Sequence, residues 1–206
     1  MIWDRKQKRR TDEMTGGREP KLSEGQLSPE QKRIFDQIKS GPRGRVKGPL
    51  RVWLQSPQLA ERAQRLGRFA RYDSSLPPDL SELSILITAR IWGSGYEWAT
   101  HAPIAAKAGV ADNVIQAISL GQTPKFQNEK QAAVFEFVVQ LHRDRQVRDE
   151  TYNAALKALG TTAVVDLVGI CGYYTLISMT INTFEIPDGD GPKLPVLKCP
   201  TSDMFI

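Results

Sequence analysis

Two histidines occur in the 206-residue chain, His101 and His142. His101 follows Glu97 by four residues, in the stretch GSGYEWATH at 93–101. Positions i and i+4 share one face of a helix, so this carboxylate can orient the imidazole and raise its pKa. Such an imidazole suits acid/base chemistry near neutral pH. The same spacing also serves an ordinary ion pair, and taken alone it favours that use. Three features add weight to the chemical use. Tyr96 and Trp98 make the turn aromatic. Ala99, Ala102, Ala105 and Ala106 allow a neighbouring helix to come close. Glu82 lies upstream in an apolar segment, where a carboxylate is costly without a partner.

The elements that must position these groups read as helices. Ser28, Pro29 and Gln31 open the first ordered segment with a capping box, and Ile34, Phe35 and Ile38 mark its apolar face. The stretch GPRGRVKGPLRVWLQ after it is too rich in Gly and Pro for a helix and is expected to wrap the body as a loop. A second helix starts at Ser56–Pro57, with Leu59, Ala63, Leu66 and Ala70 expected on one buried stripe. The segment from Asp79 to Trp92 is apolar on most sides, which places it in a core or an interface. Gly93 and Gly95 interrupt it, and further helices are expected at 96–108, 112–120, 128–143, 149–159 and 162–181. No strand pattern, nucleotide-binding glycine loop or nucleophile elbow is present. The fold class is all-α, a bundle of about seven or eight helices.

Composition narrows the function. Hydrophobic residues make up 40% and charged residues 25%, and the net charge is +5. Residues 1–10 hold five basic residues and one acidic one, so the excess charge sits in an arm, not on the body. This disfavours nucleic acid as a partner. The expected organisation is a basic, disordered arm at 1–27, one helical domain at 28–195 and an irregular tail at 196–206. Cys171 and Cys199 form no C-x-x-C pair. Two histidines, with His142 on a charged helix end, build no typical metal site. The apolar run at 163–181 contains Asp166 and two tyrosines, and it reads as a buried helix, not a membrane span. With no secretory signal, the expected location is cytoplasmic.

The stretch LSELSILITARIWGSGYEWATHAPIAAKAGVADNVIQAI resembles the carboxymuconolactone decarboxylase family, which shares its fold with the alkylhydroperoxidase D proteins. The similarity runs from about Leu27 to Pro195, and the pattern R-x-W-G-x-x-Y-E-W-x-x-H-x-P matches a Cys-less branch. In the peroxidase branch, two redox cysteines precede the histidine by seven and four residues. Here those places hold Ser94 and Glu97. That branch's relay glutamate precedes the histidine by nineteen residues, as Glu82 precedes His101. The resemblance thus implies a retained proton relay and a lost dithiol, which disfavours hydroperoxide reduction.

The decarboxylase branch acts on a carboxylated lactone without metal or organic cofactor. The resemblance then implies a cofactor-free lyase, or a related proton-transfer enzyme, acting on a small carboxylated lactone or cyclic unsaturated acid. His101 would carry the proton and Glu82 and Glu97 would set its state. Arg90, Tyr96 and Trp98 are the candidates for holding substrate. The resemblance also implies a homo-oligomer, a trimer or hexamer. The remaining alternative is a non-catalytic oligomeric binding protein, which predicts closed surroundings for His101.

Overall fold

The computed structural model describes residues 18, 20, 22–197 and 203–205. The basic stretch 1–10, most of the arm and Cys199 lie outside these. Among the described residues there are nine α-helices and no strand. They are α1 (Pro29–Ser40), α2 (Pro49–Trp53), α3 (Pro57–Arg68), α4 (Pro78–Trp92), α5 (Gly95–Ala108), α6 (Asp112–Ser119), α7 (Glu129–Asp144), α8 (Asp149–Leu159) and α9 (Thr161–Phe184). The all-α expectation holds, with one helix more than the seven or eight foreseen.

The extra helix is α2, inside the stretch expected to be a loop. Pro49 stands in its first turn, where the missing N–H costs nothing, and Leu50, Val52 and Trp53 bury themselves in the core. Tertiary burial thus overrides the glycine and proline content around it. Upstream, α1 starts as its residues dictate. The Ser28 hydroxyl accepts from the Gln31 N–H, and the Gln31 side chain accepts from the Ser28 N–H at 2.8 Å. Packed chain begins before α1, since Leu22 and Leu27 lie against the core.

The central helix is α4. Its residues from Leu80 to Arg90 are buried without a break, because α5, α7 and α9 all pack around it. Helix α9 is buried on one face only. Tyr173, Tyr174, Ile177, Ser178 and Ile181 point inward, whereas Val165, Val168 and Met179 are exposed. Asp166 accepts from both the N–H and the hydroxyl of Ser75, which accounts for the charge in an apolar helix. By length and composition α9 is long and apolar enough to cross a membrane. Its inner face instead joins the core around α4.

On α3 the buried stripe differs from expectation. Leu59 and Leu66 are exposed, and the small residues Ala60, Ala63, Gly67 and Ala70 face inward. The reason is Tyr173 of α9. Any Cβ at position 67 would lie 2.0 Å from its hydroxyl oxygen, so only a glycine admits the tyrosine there. The tail beyond α9 lacks helix at 187–197 yet is packed. Phe205 N–H donates to the Gly121 carbonyl at 2.6 Å, and its ring meets Phe135 edge-on.

Candidate active site

The site is built on the α4–α5 hairpin. Gly93 closes α4 with φ +60°, a left-handed conformation that glycine adopts without a Cβ penalty. Its N–H donates to Arg90 O and the Ser94 N–H to Ala89 O, the paired bonds of a Schellman end. The chain therefore reverses within two residues, and α5 packs back along α4. This brings Glu82, three turns before the end of α4, against His101, nearly two turns into α5.

His101 Nδ1 lies 2.7 Å from Glu82 Oε2, and His101 Nε2 lies 3.2 Å from Glu97 Oε2. Both ring nitrogens thus meet a carboxylate. All three residues are at most 4% exposed. Burial by itself pushes the imidazole pKa down. The charge and hydrogen bond of Glu82, with those of Glu97, outweigh it and hold the imidazole up at about 9. A pKa of that height favours the charged form of the ring at neutral pH, held between the two acidic side chains.

Aromatic side chains wall the cluster. The Tyr174 ring meets His101 edge-on at 5.1 Å, and Tyr173 meets Tyr174 in the same manner at 5.3 Å. Trp53 follows at 6.1 Å, its indole N–H donating to the Thr180 hydroxyl. Burial raises the Tyr173 phenol to about 12 and pushes Tyr174 up as well. Both phenols therefore stay neutral across the working pH range.

Two hydroxyls in this region, Ser94 Oγ and Ser178 Oγ, are buried and have no hydrogen-bond partner. Ser94 occupies the cap position of α5 without capping it. Ser178 lies between two contacts of α9 with the hairpin. One is Tyr174 on His101. The other is Asn182, whose amide donates to Trp92 O at 2.9 Å. Ser178 therefore lies on the face of α9 that meets the hairpin. Buried polar atoms without partners are rare in folded proteins and mark places where a further oxygen would complete the bonding.

The other candidates lie differently. Arg90 was expected at the substrate. It is 2% exposed, and one guanidinium nitrogen donates to Ser119 O and Pro195 O, tying α6 and the tail to α4. Eight residues separate it from Glu82, about 12 Å along the helix. Trp98 is a core residue at 2% exposure. Tyr96 is half-buried with its ring against Gly48. Their places beside Glu97 in sequence put them on other sides of α5.

His142 stands at a charged helix end, as expected, in the last turn of α7, and it is also buried. Its Nε2 meets the Thr88 hydroxyl at 3.2 Å, and that hydroxyl donates to Ser84 O. Burial, helped by the Arg145 charge, lowers its pKa to about 4, so the ring is neutral and Nε2–H is the donor. Cys171 hydrogen-bonds the same threonine, and burial pushes its thiol up to about 12. Sequence reasoning missed Tyr174. It carries no local signal, because it reaches His101 only through the packing of α9.

No curated protein matches the chain. The model of the carboxymuconolactone decarboxylase family matches residues 57–140. This span runs from α3 into α7 and contains Glu82, Glu97 and His101. Over residues 57–140, which include the hairpin that holds His101, the chain is similar to the carboxymuconolactone decarboxylase family.

Proposed function

We propose that the chain is a cofactor-free acid/base enzyme, a lyase or related proton-transfer enzyme acting on a small carboxylated lactone or cyclic unsaturated acid. The observation that carries this is the buried His101 imidazolium between Glu82 and Glu97. When a carboxylate conjugated to a lactone carbonyl leaves as CO₂, the electron pair of the broken C–C bond moves into that carbonyl. The resulting dienolate needs one proton on carbon. His101 supplies it and is reprotonated from solvent. Glu82 and Glu97 keep the ring charged until that moment. The unpartnered hydroxyl of Ser94, three residues before Glu97, suits an enolate oxygen. Thiol-based peroxide reduction is disfavoured, since Ser94 and Glu97 stand at the dithiol places and the Cys171 thiol is buried and raised.

One observation favours a second reading, a non-catalytic binding protein: the three residues are 2–4% exposed in the single chain. A mass-spectrometric screen of carboxylated lactones and muconate-type acids in deuterated water separates the two. Loss of CO₂ with one deuterium gained on carbon supports the lyase. Deuterium uptake without CO₂ loss makes it an isomerase. Neither, across the panel, leaves the binding protein.

The assembly is proposed to be a homo-oligomer, joined through the outer face of α9. Val165, Val168, Leu176 and Met179 fall on one stripe, with Gly169 and Gly172 open between them. No charged side chain lies on it, and the glycines let a second copy's helix come close.

A further inference from the structure

Arg43 stands in the loop at 41–48 that joins α1 to α2. Its Nη2 donates to the Tyr173 hydroxyl at 3.3 Å, its Nε is buried without a partner, and among the described residues no carboxylate pairs with it. The side chain lines a cavity of about 350 Å³ together with Gln37, Ser40, Gln64, Arg65 and Arg68. That volume suits a small ligand. Arg65 and Arg68 pair with Glu61 and Asp73 at 3.0 and 3.3 Å, but those pairs are largely exposed and so easily exchanged. The carbonyl end of α1, at Ser40 and Gly41, also borders the cavity. Three guanidiniums against two carboxylates still leave it cationic.

We propose that this cavity binds a small organic carboxylate, with Arg43 as the principal binding residue. Among the described residues Arg43 gives only one long hydrogen bond, to Tyr173, and its planar guanidinium matches a carboxylate's two oxygens. The inference goes beyond the proposed function, since Tyr173 and Tyr174 stand between this cavity and His101, and it rests on that reading only for the link to turnover. The cavity and the imidazole are joined through side chains in contact. Arg43 holds Tyr173, Tyr173 packs on Tyr174, and Tyr174 packs on His101. The charge of Glu97 also acts on Tyr173. A carboxylate that takes Arg43 competes with Tyr173 for its donors, so occupancy is felt at the tyrosine pair against the histidine.

The test is calorimetric titration of the full chain at pH 7 with muconate as probe, beside its dimethyl ester and inorganic phosphate. Muconate is expected to bind and the ester not. Arg43→Met should weaken muconate binding at least tenfold, with Arg43→Lys between. Arg68→Met should give a smaller loss. Arg62→Met is the control, since Arg62 lies outside the cavity and bonds Gln58. Circular dichroism confirms that each variant is folded. If Arg43→Met fails to fold, Arg43→Lys and Arg68→Met carry the comparison. Unchanged affinity in the folded Arg43 variants, or equal binding of the ester, overturns the site. Phosphate binding more tightly than muconate overturns the carboxylate assignment. Parallel titration of His101→Gln separates this inference from the turnover reading. Muconate binding kept there and lost with Arg43 sustains the site even if no substrate is turned over.

Discussion

His101 Nδ1 lies 2.7 Å from Glu82 Oε2, across the interface between α4 and α5. With Glu97 on the other nitrogen, two buried acidic side chains share one imidazole. This sets an order for substitutions. His101→Ala leaves two carboxylates buried together without a cation and should cost about 3–5 kcal/mol. Glu82→Gln and Glu97→Gln each leave a neutral imidazolium–carboxylate pair and should cost less. Urea unfolding of the three variants measures the order. Equal costs would show that the histidine is not charged in the folded protein.

The two histidines act on stability in opposite directions with pH. The His101 pKa is raised from 6.5 to about 9. Its contribution is fully present below 6.5 and is lost as pH rises toward 9. The His142 pKa is lowered from 6.5 to about 4. Its contribution is present above 6.5 and is lost as pH falls toward 4. Midpoints of thermal unfolding should therefore peak near pH 6.5. In His101→Gln the decline on the alkaline side should flatten, whereas the decline on the acid side should remain.

Gly67→Ala tests one of the tight approaches in the fold. The added Cβ would sit 2.0 Å from the Tyr173 hydroxyl and 2.6 Å from Arg43 Nη2. Overpacking of this kind should destabilise by about 1–3 kcal/mol. The effect should shrink in a Tyr173→Leu background, where the obstructing phenol is gone. Additive costs in the double variant would argue against direct contact.

The outer stripe of α9 gives the test of assembly. Val168→Glu or Met179→Lys should convert the expected oligomer to monomer by light scattering, with the circular dichroism spectrum kept. A wild-type chain that is monomeric at all concentrations would remove the proposal.

Cys171 should resist thiol reagents. In a Cys199→Ser background at pH 8, alkylation by iodoacetamide should be slow when folded and fast in denaturant, because burial raises the thiol to about 12. Rapid reaction in the folded state would reopen thiol chemistry.

What the sequence made legible follows from which signals are local. Glu82, Glu97 and His101 lie within twenty residues on two strongly patterned helices, so helical spacing and family resemblance could find them. Leu59 and Leu66 misled because apolar patterning weighs side chains by hydrophobicity. The face of α3 that is buried is set by how close Tyr173 must come, over a hundred residues away. The helix α2 was hidden by Gly48 and Pro49, residues that end helices as often as they begin them. Arg90 carries no such local signal, because a buried arginine looks the same in sequence whether it meets a ligand or carbonyls such as those of Ser119 and Pro195.

The turn at Gly93 has a further consequence. Both carboxylates and the imidazole belong to one antiparallel helix pair, and the pair's phase is fixed by two hydrogen bonds at its tip. Inserting or deleting one residue between positions 82 and 101 would rotate one partner by about 100° around its helix and part the ring from the acid. Changes in the other seven helices leave that phase alone and alter only what reaches it. Substrate range can therefore drift through the outer helices while the proton-carrying pair keeps its geometry.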